Sequence, residues 1–266
     1  MKALLTVAYL GTAYHGYQVQ KNGVSVQEML NRAALSVFGF DCDIVGCSRT
    51  DSGVHARGFV AAVTQKGSNA LPTAIPVSRI PRAMNAHLPA DISVLSAKEV
   101  PEDFHPRYDV VAKEYEYLFY DGSERDPVWE GRAFPVHPPL NETALAAMRA
   151  AAGCFVGKRD FSALRDKGAD TKEEDSIREV FGVRVQRKGH LVSFRVRADG
   201  FLYHMVRIMA GTLLGAARGS ISPEEIQAAL AAGDRTRMGM TAPAMGLYLD
   251  RVFYSSDKKS GGLGHE

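Results

Sequence analysis

One stretch of this chain constrains its fold more than any other: residues 201–217 are hydrophobic on nearly every face of the helix that their spacing predicts. A helix without a polar face is expected to be buried. Gly211, Gly215 and Ala216 would let another backbone approach it closely. The apolar positions are Phe201, Leu202, Met205, Val206, Ile208, Met209, Leu213 and Leu214.

Arg207 lies in the middle of this helix. A guanidinium buried without a partner is costly and cannot escape by losing its proton. It therefore needs a carboxylate, unless the side chain extends to the surface, as arginines commonly do. Asp51 is the leading candidate, because it is the only acid among residues 44–90. A carboxylate paired with arginine stays ionised, which suits a nucleophile or a base.

Strand-like and helix-like segments alternate along the chain in an α+β pattern. The first half has predicted strands at 2–10, 59–64 and 92–100 and helices at 26–38 and 77–87. The second has strands at 113–120, 181–186, 191–197 and 247–254 and helices at 141–155, 201–217 and from 222. We predict α+β domains at 1–106 and 107–254, and a tail at 255–266 with the composition of a disordered segment.

The distribution of charge is more informative than its total of +2. Basic residues outnumber acidic ones by four in residues 44–90 and by five in 176–237. Two such segments could form one polyanion-binding face, or they could be scattered over solvated surfaces. Three cysteines exclude a disulfide framework, and no apolar run approaches the length of a membrane span. With no signal-peptide pattern, the chain is predicted to be cytoplasmic.

The segment 46–56 (GCSRTDSGVHA) allows three interpretations. Its threonine, aspartate, serine and glycine are typical of a turn, and an Asx turn would explain Asp51. Metal binding by Asp51 and His55 lacks a visible third ligand, and a serine nucleophile lacks its G-x-S-x-G turn. Tyr115 and Tyr117 share one face of a predicted strand, where they could pack in the core or stack on a base.

Together these residues resemble the tRNA pseudouridine synthase A family. The resemblance rests on six segments in the expected order, of which R-T-D-S-G-V-H-A at 49–56 is the most specific. The others are G-T-A-Y-H-G-Y-Q-V-Q with S-V-Q, K-E-Y-E-Y, D-F-S, F-L-Y-H-M-V-R and A-P-A-M-G-L-Y-L. The sequence departs from the family pattern at Leu10, Tyr17, Ser48, Ser52, Arg159 and Ile208, none of which removes a reacting group.

The resemblance implies two ferredoxin-like halves that form one mixed, largely antiparallel sheet, with helices on one side and a basic cleft at the seam. It also implies a homodimer that converts uridine to pseudouridine at tRNA anticodon positions 38–40. The isomerisation oxidises nothing and transfers no external group, so no cofactor, nucleotide or metal is expected.

The resemblance also assigns roles to individual residues. Asp51 would be the catalytic carboxylate, attacking C1′ of the ribose or assisting elimination to a glycal. Arg207 would hold Asp51 ionised, Tyr115 would stack on the flipped uracil, and Leu247 would form an apolar wall for it. Arg49 would help to extrude the nucleotide. The phosphate contacts would come from Arg57, Arg79 and Arg82.

Two alternatives belong to other functional classes. One is a non-catalytic RNA-binding protein, which would have no need of a carboxylate in a basic cleft. The other is a small-molecule hydrolase that uses Asp51 and His55.

Overall fold

The computed structural model describes residues 1–166 and 175–255, so the predicted tail lies outside the described residues apart from Ser255. The chain divides into two compact units, Met1–Val111 with the described residues from Leu249, and Ala112–Tyr248. The sequence instead predicts a boundary after residue 106 and places the last strand in the second domain.

The first unit is built on an antiparallel core of three strands. Strand β1 (Lys2–Tyr9) lies between β3 (His55–Gln65) and β4 (Ile92–Val100). Strand β2 (Cys42–Gly46) pairs with β3, and β10 (Leu247–Tyr254) is also hydrogen-bonded to β3.

Helix α1 (Val26–Phe38) has the predicted bounds because both of its ends are capped locally. The Ser25 side chain accepts a hydrogen bond from the Glu28 amide, and Gly39 ends the helix in the left-handed conformation at φ 77°. The predicted helix at 77–87 is shorter in the structure. It is a 3₁₀ turn (Val77–Arg79) followed by α2 (Ile80–Asn85), which has proline in its first turn.

The second unit contains an antiparallel sheet in the order β5 (Val110–Tyr120), β9 (Leu191–Ala198), β8 (Ile177–Lys188) and β7 (Gly157–Asp160). A short β6 (Phe134–Pro135) runs parallel to β5. Helix α3 (Glu142–Gly153) begins at the cap Asn141 and packs on α4 (Met205–Ala217). The predicted capping box of α5 (Pro223–Ala232) is complete, between Ser222 and Glu225. The α+β class is confirmed.

Helix α4 begins four residues later than its apolar pattern predicts. His204, its N-cap, has a φ of 62°, so the backbone at 201–204 turns into the helix instead of belonging to it. Nine of the thirteen residues of α4 are buried, which confirms the predicted burial. In residues 1–166 and 175–255, no helix is long and apolar enough to cross a membrane.

Candidate active site

Asp51 is half-buried in the loop between β2 and β3 of the first unit. The Asp51 carbonyl accepts a hydrogen bond from the Val54 amide at 3.2 Å, closing the turn that the sequence predicts. Its neighbour Thr50 is held on both sides: its carbonyl accepts from the Tyr17 amide at 3.3 Å, and its hydroxyl lies 2.9 Å from that of Tyr9. The loop is therefore fixed by backbone hydrogen bonds and by the Thr50 hydroxyl.

Two glycines of the segment after β1 make this close packing possible. A Cβ at Gly11 would lie 2.0 Å from the carbonyl oxygen of Val54, and one at Gly16 would lie 2.4 Å from that of Thr50. Gly16 also has a φ of 81°, which a larger residue adopts only with strain. The glycines of the G-T-A-Y-H-G segment thus allow the Asp51 loop to lie directly on the preceding chain.

His55 has a structural role at the start of β3. It is fully buried, and its Nδ1 accepts a hydrogen bond from the Gly11 amide at 2.9 Å. That nitrogen is therefore unavailable as a base or as a metal ligand, which argues against the hydrolase alternative. Over the two described ranges, no group of three His, Cys, Asp or Glu side chains could hold a metal ion.

Tyr115 and Tyr117 lie on the same face of β5 in the second unit. Tyr115 is 7% exposed, and its ring meets that of Phe201 edge-on, at 5.0 Å between centroids and 82° between planes. Tyr117 is fully buried and donates its hydroxyl to the carbonyl of Pro243 at 2.7 Å. Burial raises the pKa of the Tyr117 hydroxyl well above its ordinary value, against the opposing effect of the Arg207 charge.

Arg207 is half-buried on α4 and held by the backbone of Ala242. Its Nε donates to the Ala242 carbonyl at 2.7 Å, while its own carbonyl accepts from the Ala242 amide at 3.1 Å. The chain comes this near because a Cβ at Gly211 would lie 1.8 Å from the carbonyl oxygen of Met240. The predicted close approach at Gly211 is confirmed.

Leu247 is the first residue of β10 and is 6% exposed. It follows a 3₁₀ turn, Ala244–Gly246, that packs on the face of β5 carrying the two tyrosines. A Cβ at Gly246 would lie 2.6 Å from the Tyr117 ring.

The four arginines assigned to RNA contacts differ in whether they form an ion pair within the protein. Arg49, Arg79 and Arg82 are exposed, and they make no ion pair with any residue that the structure describes. Arg57, by contrast, donates to the Asp250 carboxylate at 3.0 Å. Arg57 would therefore have to share its charge between that carboxylate and a phosphate.

A family model described as tRNA pseudouridine synthase matches residues 5–109 and 151–255. The chain belongs to this family. The chain is 41% identical to a tRNA pseudouridine synthase A of Ruminiclostridium cellulolyticum, over 95% of this chain and 99% of that one. It is 42% identical to one of Bacillus pumilus, over 96% and 100%. It is 38% identical to one of Thermoanaerobacter pseudethanolicus, over 94% and 98%.

The match to the tRNA pseudouridine synthase family model is uneven across the predicted site. Its two ranges include Asp51, Arg207 and Leu247, and they leave out Tyr115. The relatives named above cover that gap, since each aligns with at least 94% of this chain.

In this tRNA pseudouridine synthase family member, part of the positive charge counted along the sequence is neutralised by acids from outside the basic segment. Arg187 lies 2.6 Å from the carboxylate of Asp121, which is completely buried. Arg195 lies 2.9 Å from Glu116 on the neighbouring strand. The sequence count of residues 176–237 therefore overstates the free positive charge of the second unit.

Sequence reasoning missed one polar network, in which Asp166 is the shared partner. Its carboxylate lies 2.8 Å from His204 Nδ1, 2.8 Å from Arg235 Nε and 2.6 Å from the Thr241 hydroxyl. Partial burial alone would raise the pKa of Asp166, but the bonds from Thr241, His204 and Arg235 outweigh it and lower the pKa to about 2. No single local motif joins His204 to Asp166, Arg235 and Thr241, so only the folded chain reveals the network.

Proposed function

We propose that this chain isomerises uridine to pseudouridine in tRNA. The observation that carries the proposal is membership of the tRNA pseudouridine synthase family, with relatives of that name aligned over nearly the whole chain. In this reaction the bond from ribose C1′ to uracil N1 breaks, the base turns, and C5 bonds to C1′; C5 gives up its hydrogen as a proton and N1 takes one up. The target uridines in this proposal are positions 38–40 of the anticodon stem-loop.

In this proposal Asp51 is the catalytic carboxylate, acting on C1′ directly or assisting elimination to a glycal. Two features support that role: Asp51 is half-buried, and backbone contacts on both sides hold its loop. A reacting group is most effective when the residues around it keep it in one position. The pairing of Asp51 with Arg207 stays a prediction.

The remaining roles concern the base and the phosphates. Tyr115 would stack on the flipped uracil and Leu247 would supply an apolar wall, in keeping with their largely buried side chains. Arg49, Arg79 and Arg82 are exposed cations suited to phosphates. Arg49 would in addition help to extrude the nucleotide, and Arg57 would be a weaker phosphate contact because of Asp250.

We further propose that the enzyme acts as a homodimer in the cytoplasm, as the family resemblance implies. Light scattering of the purified chain tests the dimer, since a monomer at micromolar concentration would contradict it.

The decisive experiment uses an unmodified tRNA that carries tritium at C5 of its uridines, and it measures the tritium released. Wild type should release it, and Asp51→Asn should not, because an amide can neither attack C1′ nor act as a base. Asp41→Asn is the matched control, since Asp41 is an exposed aspartate of the same unit whose one ion pair among the described residues is a loose contact with Lys66, at 3.9 Å. Wild type that binds tRNA without releasing tritium would favour the non-catalytic RNA-binding alternative.

A further inference from the structure

The segment 239–243 of the second unit lies along α4 and hydrogen-bonds both the backbone and the side chain of Arg207. At one end the Gly239 amide donates to the Thr212 hydroxyl at 3.0 Å. Further along, Ala242 exchanges two hydrogen bonds with Arg207, one to its backbone and one from its Nε. A change in the path of this segment would therefore turn the guanidinium.

Three further side-chain contacts hold that segment. The Thr241 hydroxyl donates to Asp166 at 2.6 Å and accepts from Arg235 Nη2 at 2.9 Å. Arg235 also donates from Nη1 to the carbonyl of Gly239 at 2.9 Å. Arg235 itself is oriented by Asp166, which accepts from its Nε at 2.8 Å. The segment is thus fastened at Gly239 and Thr241, immediately before Ala242.

The same carboxylate also holds the start of α4. Asp166 Oδ2 lies 2.8 Å from Nδ1 of His204, the N-cap residue with its φ of 62°. Among the described non-glycine residues, His204 alone has a positive φ. Asp166 therefore joins the helix that carries Arg207 to the segment that hydrogen-bonds it.

We propose that Thr241 and Asp166 are positioning residues for Arg207, acting through the carbonyl of Ala242. The inference rests on the proposed function, in which Arg207 orients the catalytic carboxylate. Neither residue is assigned a contact with RNA, so their loss should lower kcat and leave tRNA affinity unchanged. Misplacing a catalytic group by about 1 Å can cost on the order of 100-fold in rate.

The test compares three threonine variants in the full chain, with tritium release for kcat and filter binding for tRNA affinity. Thr241→Val removes the hydroxyl at constant shape and should lower kcat by about 10- to 100-fold. Thr241→Ser restores the hydroxyl and should keep kcat within about threefold of wild type. Thr236→Val is the matched control, because the exposed Thr236 also donates to an aspartate, Asp234, at 2.6 Å, outside the network.

Asp166→Asn is the second variant, used in case Thr241→Val does not fold. It should also lower kcat. Normal kcat in either folded variant would overturn the inference, and so would an equal loss in Thr236→Val. A fall in tRNA affinity with kcat unchanged would also overturn it.

Failure of the inference can be told apart from failure of the proposed function. If wild type is active, Arg207→Lys is inactive and Thr241→Val is normal, only the positioning role is wrong. If Arg207→Lys is as active as wild type, Arg207 lacks its proposed role, and the positioning role falls with it. If wild type releases no tritium from tRNA, both proposals fail.

Discussion

In the first unit the loop of Asp51 is held by backbone lying on backbone, whereas in the second the segment beside Arg207 is held by charged side chains. Gly11 and Gly16 create the first arrangement by having no side chain. Asp166 and Arg235 create the second through hydrogen bonds between ionised groups. The packing of the Asp51 loop should therefore be disrupted by a larger side chain and be insensitive to changes in charge. The hydrogen bonds of the segment beside Arg207 should be weakened by the loss of a charged group and by acid.

The largest expected effect is on the first arrangement. Gly11→Ala places a methyl group 2.0 Å from the Val54 carbonyl and should destabilise the protein by more than about 3 kcal/mol in urea unfolding. Gly182→Ala in β8 is the control, since a Cβ there meets nothing within 4 Å, and it should leave the unfolding midpoint nearly unchanged. Equal midpoints for the two variants would show that the Asp51 loop is not tightly packed.

The second unit is tested by removing a charge, whereas the first is tested by adding volume. Asp121→Asn should cost about 2–3 kcal/mol, less than for a fully buried pair, because Arg187 is 27% exposed while Asp121 is not exposed at all. Glu28→Gln in the first unit removes the half-buried partner of Arg32, whose own side chain is 69% exposed, and should cost at most about 0.5 kcal/mol. Urea unfolding of both variants measures the loss in free energy of unfolding. Similar losses in the two variants would contradict the expected difference.

Acid should weaken the Asp166 network selectively. Its pKa of about 2 lies below the ordinary value, so the ionised network stabilises the folded state above roughly pH 4 and is lost as the pH falls towards 2. Thermal melting of wild type and Asp166→Asn at pH 7 and pH 3 should show a difference in Tm that narrows in acid. A constant difference would mean that the Asp166 charge contributes nothing.

The smallest effects should be alike in both units. Ser25→Ala and Asn141→Ala each remove one helix cap, on α1 and on α3, and each should cost about 1 kcal/mol. Glycine at either position should cost only a few tenths of a kcal/mol. Urea midpoints that differ strongly between the two caps would show that helix ends are held differently in the two units.

Sequence predicted best where structure is decided locally. The bounds of α1 follow from Ser25 and Gly39, and those of β10 from its own apolar pattern. The start of α4 was missed because His204 takes a backbone conformation that its distant partner Asp166 helps to hold. Strands β2 and β7 were missed because each has five residues or fewer. Such a segment is too short to show an alternating apolar pattern, and its pairing with neighbouring strands determines its conformation.

In the candidate site too, local features could be predicted from the sequence and long-range contacts could not. The turn at Asp51 and the close approach at Gly211 follow from residue types in short segments, and the structure contains both. The contacts of Thr241 with Asp166 and of Arg57 with Asp250 join residues 75 and 193 positions apart. No periodicity or motif encodes such pairs, because they exist only after the strands and helices have packed.

The return of β10 to β3 affects how the protein is made. Translation produces β1 to β4 long before Leu249–Tyr254 leaves the ribosome, so the nascent first unit exposes the part of the β3 edge that β10 later covers throughout synthesis of the second. An unpaired strand edge invites pairing with other chains, and closing a sheet across so long an interval is slow. Chaperone dependence and aggregation during expression should therefore depend on how soon Leu249–Tyr254 becomes available to pair with β3.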